Sequence, residues 1–283
     1  MTAEARADLT GVRVGATVGP GGRAVASRFP GPGGVGMTTD RPHVRLGLAW
    51  AGVTVAVTVA GPRYLAVWLA VVGALAGAQV AQTWPRTDGR PGAVVAVIGG
   101  GLVPLAAVAG ALGEVAGVAL VAALALAWDP ALSAVPWVER TVRTNGVRTL
   151  TVAVLVGSAA GGLVAVRQQG LTQALVMLTL VSAYDASAYL VGAGSSSRLA
   201  GPVAGVASVA ALTIGVAAVL VPPFRGISPW VLGGLVAVLA PAGPHVASAL
   251  LGDRGGRAAV LRRLDSMLLV GPAWAVAARL LTR

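Results

Sequence analysis

The stretch LTQALVMLTLVSAYDASAYLV, from Leu171 to Val191, carries Asp185 as its only charged side chain. About 20 apolar residues cross a hydrocarbon core, so this run reads as a membrane-spanning helix that places one carboxylate near its end. Further apolar runs lie on both sides: 199–221, 229–251 and 264–281 after it, and 46–60, 64–83, 92–110, 114–135 and 149–166 before it. They predict an all-α, polytopic transmembrane bundle of about nine spans, with eight to ten allowed by the short first run and by breaks expected around Pro104, Pro241 and Pro244. The whole chain agrees, since 56% of its 283 residues are hydrophobic and only 11% are charged. A soluble domain of that composition lacks the polar residues to cover its surface.

Three regions follow. Residues 1–43 are rich in Gly, Arg and Pro without apolar periodicity and are expected to be disordered. The segment has no apolar core of signal-peptide length near Met1, and Met37 is an equally good start. Residues 44–148 hold about four spans and residues 149–283 about five.

The net charge is +11, from 21 arginines without a single lysine. Those arginines sit between apolar runs rather than along one face, which argues for membrane topology and against a nucleic-acid partner. With the N-terminus on the cytoplasmic side, that side receives sixteen of the 21. Arg63, Arg167, Arg225, Arg279 and Arg283 fall opposite. Positive charge in short loops is retained inside, so an N-in orientation in a cytoplasmic (inner) membrane is expected. Lacking lysine, the chain has no Schiff-base or P-loop lysine chemistry; lacking cysteine, it has no disulfide or thiolate. His43 and His245 alone make no multi-histidine metal site.

An ionisable group at the edge of a span costs a few kcal/mol, which makes each one a candidate for function. After residue 140 the acids are Asp185, Asp253 and Asp265, all at predicted cytoplasmic helix ends. Three such carboxylates suit Mg²⁺ held together with substrate phosphates; equally, each suits a helix cap or a water boundary. Glu114 reads as the N-terminal charge of its helix, the seven tryptophans as interfacial anchors, and His245 as a buried or interfacial polar residue. Gly99-Gly100-Gly101 is too apolar in context for a phosphate loop, and Gly201 with Gly205 is a helix-packing spacing.

Local sequence around the three aspartates sharpens this. Asp185 is followed by Ser187-Ala188-Tyr189 and Gly192; Leu251-Gly252-Asp253 ends a later helix; and Leu261-Arg262-Arg263-Leu264-Asp265-Ser266-Met267 opens the last one. In this order, over roughly residues 150–281, these segments resemble the phosphatidate cytidylyltransferase (CDP-diacylglycerol synthase) family in divergent form. The resemblance implies transfer of a cytidylyl group from CTP to phosphatidate, giving CDP-diacylglycerol and diphosphate with Mg²⁺ as cofactor. It implies Asp253 and Asp265 as metal ligands, Asp185 and Arg263 as catalytic residues, and Tyr189, Gly192 and Arg198 at the nucleotide.

The departures from the family pattern are equally specific. Arg262 stands where the family has the first Asp of Asp-Arg-x-Asp, and a guanidinium there repels a metal ion. Arg257-Ala258-Ala259 replaces His-Gly-Gly, a long polar loop is missing, and the family's lysine-bearing segment gives way to Ser195–Gly205, where Arg198 is the remaining cation. Three readings therefore stand: an enzyme with a remodelled site, a non-catalytic family-derived protein that binds lipid or a partner, and an unrelated small transporter or scaffold. A homodimer is left open.

Overall fold

The computed structural model describes residues 41–83, 91–133, 139–193, 195–197, 199–251 and 258–282. Among them every regular element is helical, and no strand occurs. The order is α1 (Arg41–Ala60), α2 (Pro62–Gln82), α3 (Pro91–Ala106), α4 (Ala111–Ser133), α5 (Glu139–Gln169), α6 (Leu171–Gly192), α7 (Ala200–Val219), α8 (Ser228–Leu239), α9 (Gly243–Leu251), α10 (Leu261–Leu264) and α11 (Met267–Leu281). Six segments are long and apolar enough to cross a membrane, making this a multi-pass membrane protein: 62–82, 148–169, 171–192, 200–219, 228–251 and 261–281. Shorter apolar helices lie at 47–60, 93–109 and 111–125.

The helices coincide with the apolar runs, with two adjustments. α1 begins at Arg41, inside the stretch expected to be disordered; residues 1–40 lie outside the described residues. The expected prolyl breaks take definite form. Pro104 lies within α3, which tightens into a 3₁₀ turn at Ala107–Ala109, and a second 3₁₀ turn at Ala240–Ala242, containing Pro241, divides α8 from α9. Gly61, at φ 138, supplies the turn from α1 into α2 that a residue with a Cβ rarely adopts.

α5 is the central helix, packed against α2, α3, α4, α6 and α11. Small residues let the backbones meet, as the Gly/Ala-rich sequence predicts. A Cβ on Gly162 would lie 2.5 Å from the carbonyl carbon of Gly271 on α11, and one on Gly73 would lie 2.9 Å from that of Gly100 on α3. Gly100 thus belongs to a helix seam. Gly205 receives the Tyr184 ring of α6, and a Cβ on Gly201 would lie 2.8 Å from the Ala188 carbonyl oxygen, so the Gly201/Gly205 pair is a contact of α7 with α6.

Three threonine hydroxyls inside this apolar bundle bond to carbonyls of their own helices. Thr54 donates to the Trp50 carbonyl at 2.9 Å, Thr58 to that of Thr54 at 2.7 Å, and Thr213 to that of Val209 at 2.8 Å. Two tryptophans depart from the interfacial expectation. Trp274 is fully buried, its Nε1 donating to the Leu232 carbonyl at 3.2 Å and its ring meeting Phe224 edge-on at 6.5 Å. Trp68 stacks obliquely on Trp50, centroids 5.0 Å apart, and donates to the Thr54 hydroxyl at 3.2 Å, joining α2 to α1. Both rings have been taken into packing because neighbouring helices offer more contact there than an interface would.

Candidate functional site at the Asp185 end

One end of the bundle collects polar groups from six helices. α6 brings Asp185 in its next-to-last turn, and the junction of α10 and α11 brings Asp265 and Ser266. Ser266 is buried and joins the two acids: its hydroxyl donates to Asp185 Oδ1 at 2.5 Å, and its backbone N–H donates to Asp265 Oδ1 at 2.8 Å. Two segments some eighty residues apart in sequence therefore share one hydrogen-bonded unit. Hydrogen bonds to ionised acceptors are the shorter and stronger class.

The surrounding helices hold this junction in place. Gly243 at the start of α9 lies directly against the backbone of Asp265 and Ser266, where a Cβ would come within 2.9 Å of Ser266 Cα. Gln79 of α2 accepts the Val260 N–H at 2.9 Å through Oε1, fixing the entry into α10. Arg148 of α5 donates to the Leu250 carbonyl at the end of α9 at 3.2 Å. Arg262 donates from Nη1 to the Ser248 hydroxyl at 3.2 Å, and that hydroxyl donates in turn to the Pro244 carbonyl at 2.7 Å. The Arg262 guanidinium is thus tied to α9.

The other sequence-predicted residues distribute as follows. Tyr189 lies one turn beyond Asp185 on α6 and is exposed. Gly192, at the end of α6, packs against Gly201, where a Cβ on Gly192 would lie 3.3 Å from Gly201 Cα. The Arg263 guanidinium lies over Gly47 of α1, where a Cβ would be 2.9 Å from Nη1. Arg198 and Asp253 lie outside the described residues. Among the described residues, no group of three His, Cys, Asp or Glu side chains is assembled that could hold a metal ion. Asp185 and Asp265 nonetheless form a pair with one oxygen each committed to Ser266, and hard oxygen donors of this kind match Mg²⁺.

His245 is exposed, with Nδ1 3.1 Å from the Pro241 carbonyl, so it answers a backbone group left over by the α8–α9 break. Sequence reading assigned no role to Ser266, although it lies in the segment that carries the resemblance. A hydroxyl immediately after a candidate ligand was the available signal. Gln79 gave no signal of its own. No protein-family model matches the chain, and no curated protein does.

Proposed function

We propose that this chain is a nine-span protein of the cytoplasmic membrane, N-terminus inside, that acts on a phosphate-bearing lipid as a divergent phosphatidate cytidylyltransferase. The observation that carries the reading is the Asp185–Ser266–Asp265 unit: two segments that resemble the family's signature meet at one end of the bundle. The arginine distribution supports a cytoplasmic side for that end, where CTP is available.

In this reading a phosphatidate phosphate oxygen attacks the α-phosphorus of CTP, the bond to the bridging oxygen breaks, and diphosphate leaves. Mg²⁺, when bound, neutralises charge on the nucleotide phosphates and orients them for in-line displacement. Asp185 and Asp265 each keep one oxygen free of Ser266 for such an ion, with Asp253 the third carboxylate that the resemblance supplies. Ser266 holds the pair at fixed separation, which limits reorganisation on binding. Arg263 and Arg198 bind phosphate, and Tyr189 and Gly192 lie beside the nucleotide.

One observation favours a second reading, a non-catalytic lipid-binding descendant. Arg262 is bonded to Ser248 one turn before Asp265, so a cation occupies the neighbourhood that the family gives to a metal ligand. The experiment that separates the two is transfer of label from CTP into lipid by the purified protein with phosphatidate and Mg²⁺, beside Asp185→Asn, Asp265→Asn and an unmodified family enzyme. Transfer lost in both variants supports the enzyme. No transfer by a folded protein, with the family enzyme active alongside, sinks it in favour of the lipid-binding reading.

A further inference from the structure

At the opposite end of the bundle lies a cavity of about 550 Å³, bordered by α4, α5 and α11. Its polar lining comes from Glu114, Gln168, Gln169 and Arg279, and its walls include Val115 and Val276. α6 separates the two ends: Gln169 immediately precedes it and Asp185 lies near its finish, and at 1.5 Å per residue the helix is about 33 Å long. The cavity therefore belongs to neither the acid–serine unit nor its chemistry.

Each polar group in it has a distinct standing. The Glu114 carboxylate is half-buried beside Gly161, where a Cβ would lie 3.3 Å from Oε1, and it makes no ion pair with Arg279. Gln168 is committed, its Nε2 donating to the Ala107 and Val108 carbonyls at the end of α3. Gln169 donates from Nε2 to the Ala275 carbonyl at 3.0 Å, which leaves its Oε1 buried without a donor. An orphaned buried acceptor costs about 1–3 kcal/mol, so a ligand that supplies a donor is favoured there. Arg279 is exposed at the rim, and Leu112, Val115, Val276 and Leu280 continue as an exposed apolar surface on the same two helices.

We propose that this cavity binds the headgroup of an amine-bearing phospholipid, its ammonium between Glu114 and Gln169 Oε1, its phosphate on Arg279, and its acyl chains along Val115, Val276 and Leu280. The charge order decides the class. A half-buried carboxylate, a lining glutamine whose buried acceptor is unpaired, and an exposed guanidinium complement a zwitterion whose terminal group is cationic and carries N–H donors. An anionic glycerol headgroup would meet Glu114 unfavourably, and a trimethylated ammonium has no hydrogen for Gln169.

The test is native mass spectrometry of the full-length purified protein with phosphatidylethanolamine, phosphatidylcholine or phosphatidylglycerol at equal concentration, and with soluble glycerophosphoethanolamine. Phosphatidylethanolamine should be retained at least several-fold over both other lipids, with the soluble headgroup not retained. Glu114→Gln should abolish the preference, and Arg279→Gln, at an exposed position that the fold does not need, should weaken retention of phosphatidylethanolamine. Equal retention of the three lipids by the parent protein, or a preference unchanged in both variants, overturns the proposal. Retention of the soluble headgroup as firmly as the lipid overturns the lipid as its source.

Discussion

Gly243→Ala tests how tightly the acid–serine unit is built. The backbone at Gly243 is already helical, with φ −54 and ψ −50, so alanine adds no conformational strain. Its methyl group would, however, stand 2.7 Å from the Asp265 carbonyl carbon and 2.9 Å from Ser266 Cα. These are backbone atoms and cannot rotate aside, and the Asp265 carbonyl oxygen lies nearer still; restoring ordinary contact at 3.4 Å needs a shift of at least about 0.7 Å in a close-packed junction. Overpacking of this kind costs about 1–3 kcal/mol. Carried along the Ser266–Asp185 bond, the same shift would stretch it from 2.5 Å to about 3.2 Å or more, beyond the usual O–H···O range. The comparison variant is Gly234→Ala on α8, where a Cβ meets nothing within 4 Å and helix propensity favours alanine by about 0.5–1 kcal/mol. Thermal melts in detergent, followed by circular dichroism, should show Gly243→Ala several degrees below the parent and Gly234→Ala level with it or above. If the two variants melt together, the junction is looser than its contacts state and the rigidity ascribed to the pair is wrong.

Three further perturbations probe the frame around the two ends. Trp274→Ala empties a fully buried site between α11, α8 and Phe224 and should cost about 3–5 kcal/mol, read as loss of the folded fraction in the same melts. Arg167→Gln shortens a side chain whose Nε donates to the Thr58 carbonyl at 2.6 Å, so it should loosen α1 from α5 by about 1–3 kcal/mol, with protease cleavage in the α1–α2 turn rising relative to the parent. Gln79→Met keeps the volume but strands the Val260 N–H; about 1–3 kcal/mol should be lost, and hydrogen exchange at Val260 and Leu261 should accelerate while α11 stays protected.

The helices were legible because lipid leaves a protein few options. Every backbone group must be bonded inside the segment, so an apolar run of sufficient length becomes a helix whatever its neighbours do. The runs at 64–83, 171–191 and 199–221 therefore reappear as α2, α6 and α7 almost residue for residue. Pro241 was legible for a similarly local reason, since a missing N–H removes a helical hydrogen bond whatever the neighbours do, although α3 and α11 continue past Pro104 and Pro272. Packing was less so. Trp274 was read with the other tryptophans as an interfacial anchor although it lies mid-run, and the convergence of α11 with α8 buries it. Asp185 and Asp265 were identifiable singly, as acids in apolar sequence, but their meeting through Ser266 depends on how α6 and α11 pack. The cavity had the weakest trace of all. Glu114 read correctly as a first-turn acid of α4, yet nothing in its neighbourhood announces Gln169 or Arg279, which reach it from two other helices.

Among the described residues the charged side chains lie at the two ends of the bundle, which follows from the cost of charge in hydrocarbon. Glu114 and Asp185 could not lie at mid-depth without a partner or a water path, at a cost of about 2.5–3.5 kcal/mol each on insertion scales. The ends are consequently separated by apolar α5, α6 and α11, whose contacts are Gly and Ala backbones such as Gly162 on Gly271. Such seams are rigid, and they contain no charged chain of residues through which occupancy at one end would alter the other. Perturbations at the two ends should therefore add: Glu114→Gln should leave the Asp185–Ser266 bond and any transfer from CTP unchanged, and Asp185→Asn should leave the preference for an amine-bearing lipid unchanged. A double variant whose loss of lipid retention exceeds that of Glu114→Gln alone would mean that α5 or α11 moves as a unit between two positions, and the Gly162–Gly271 contact would then be the pivot rather than a fixed seam.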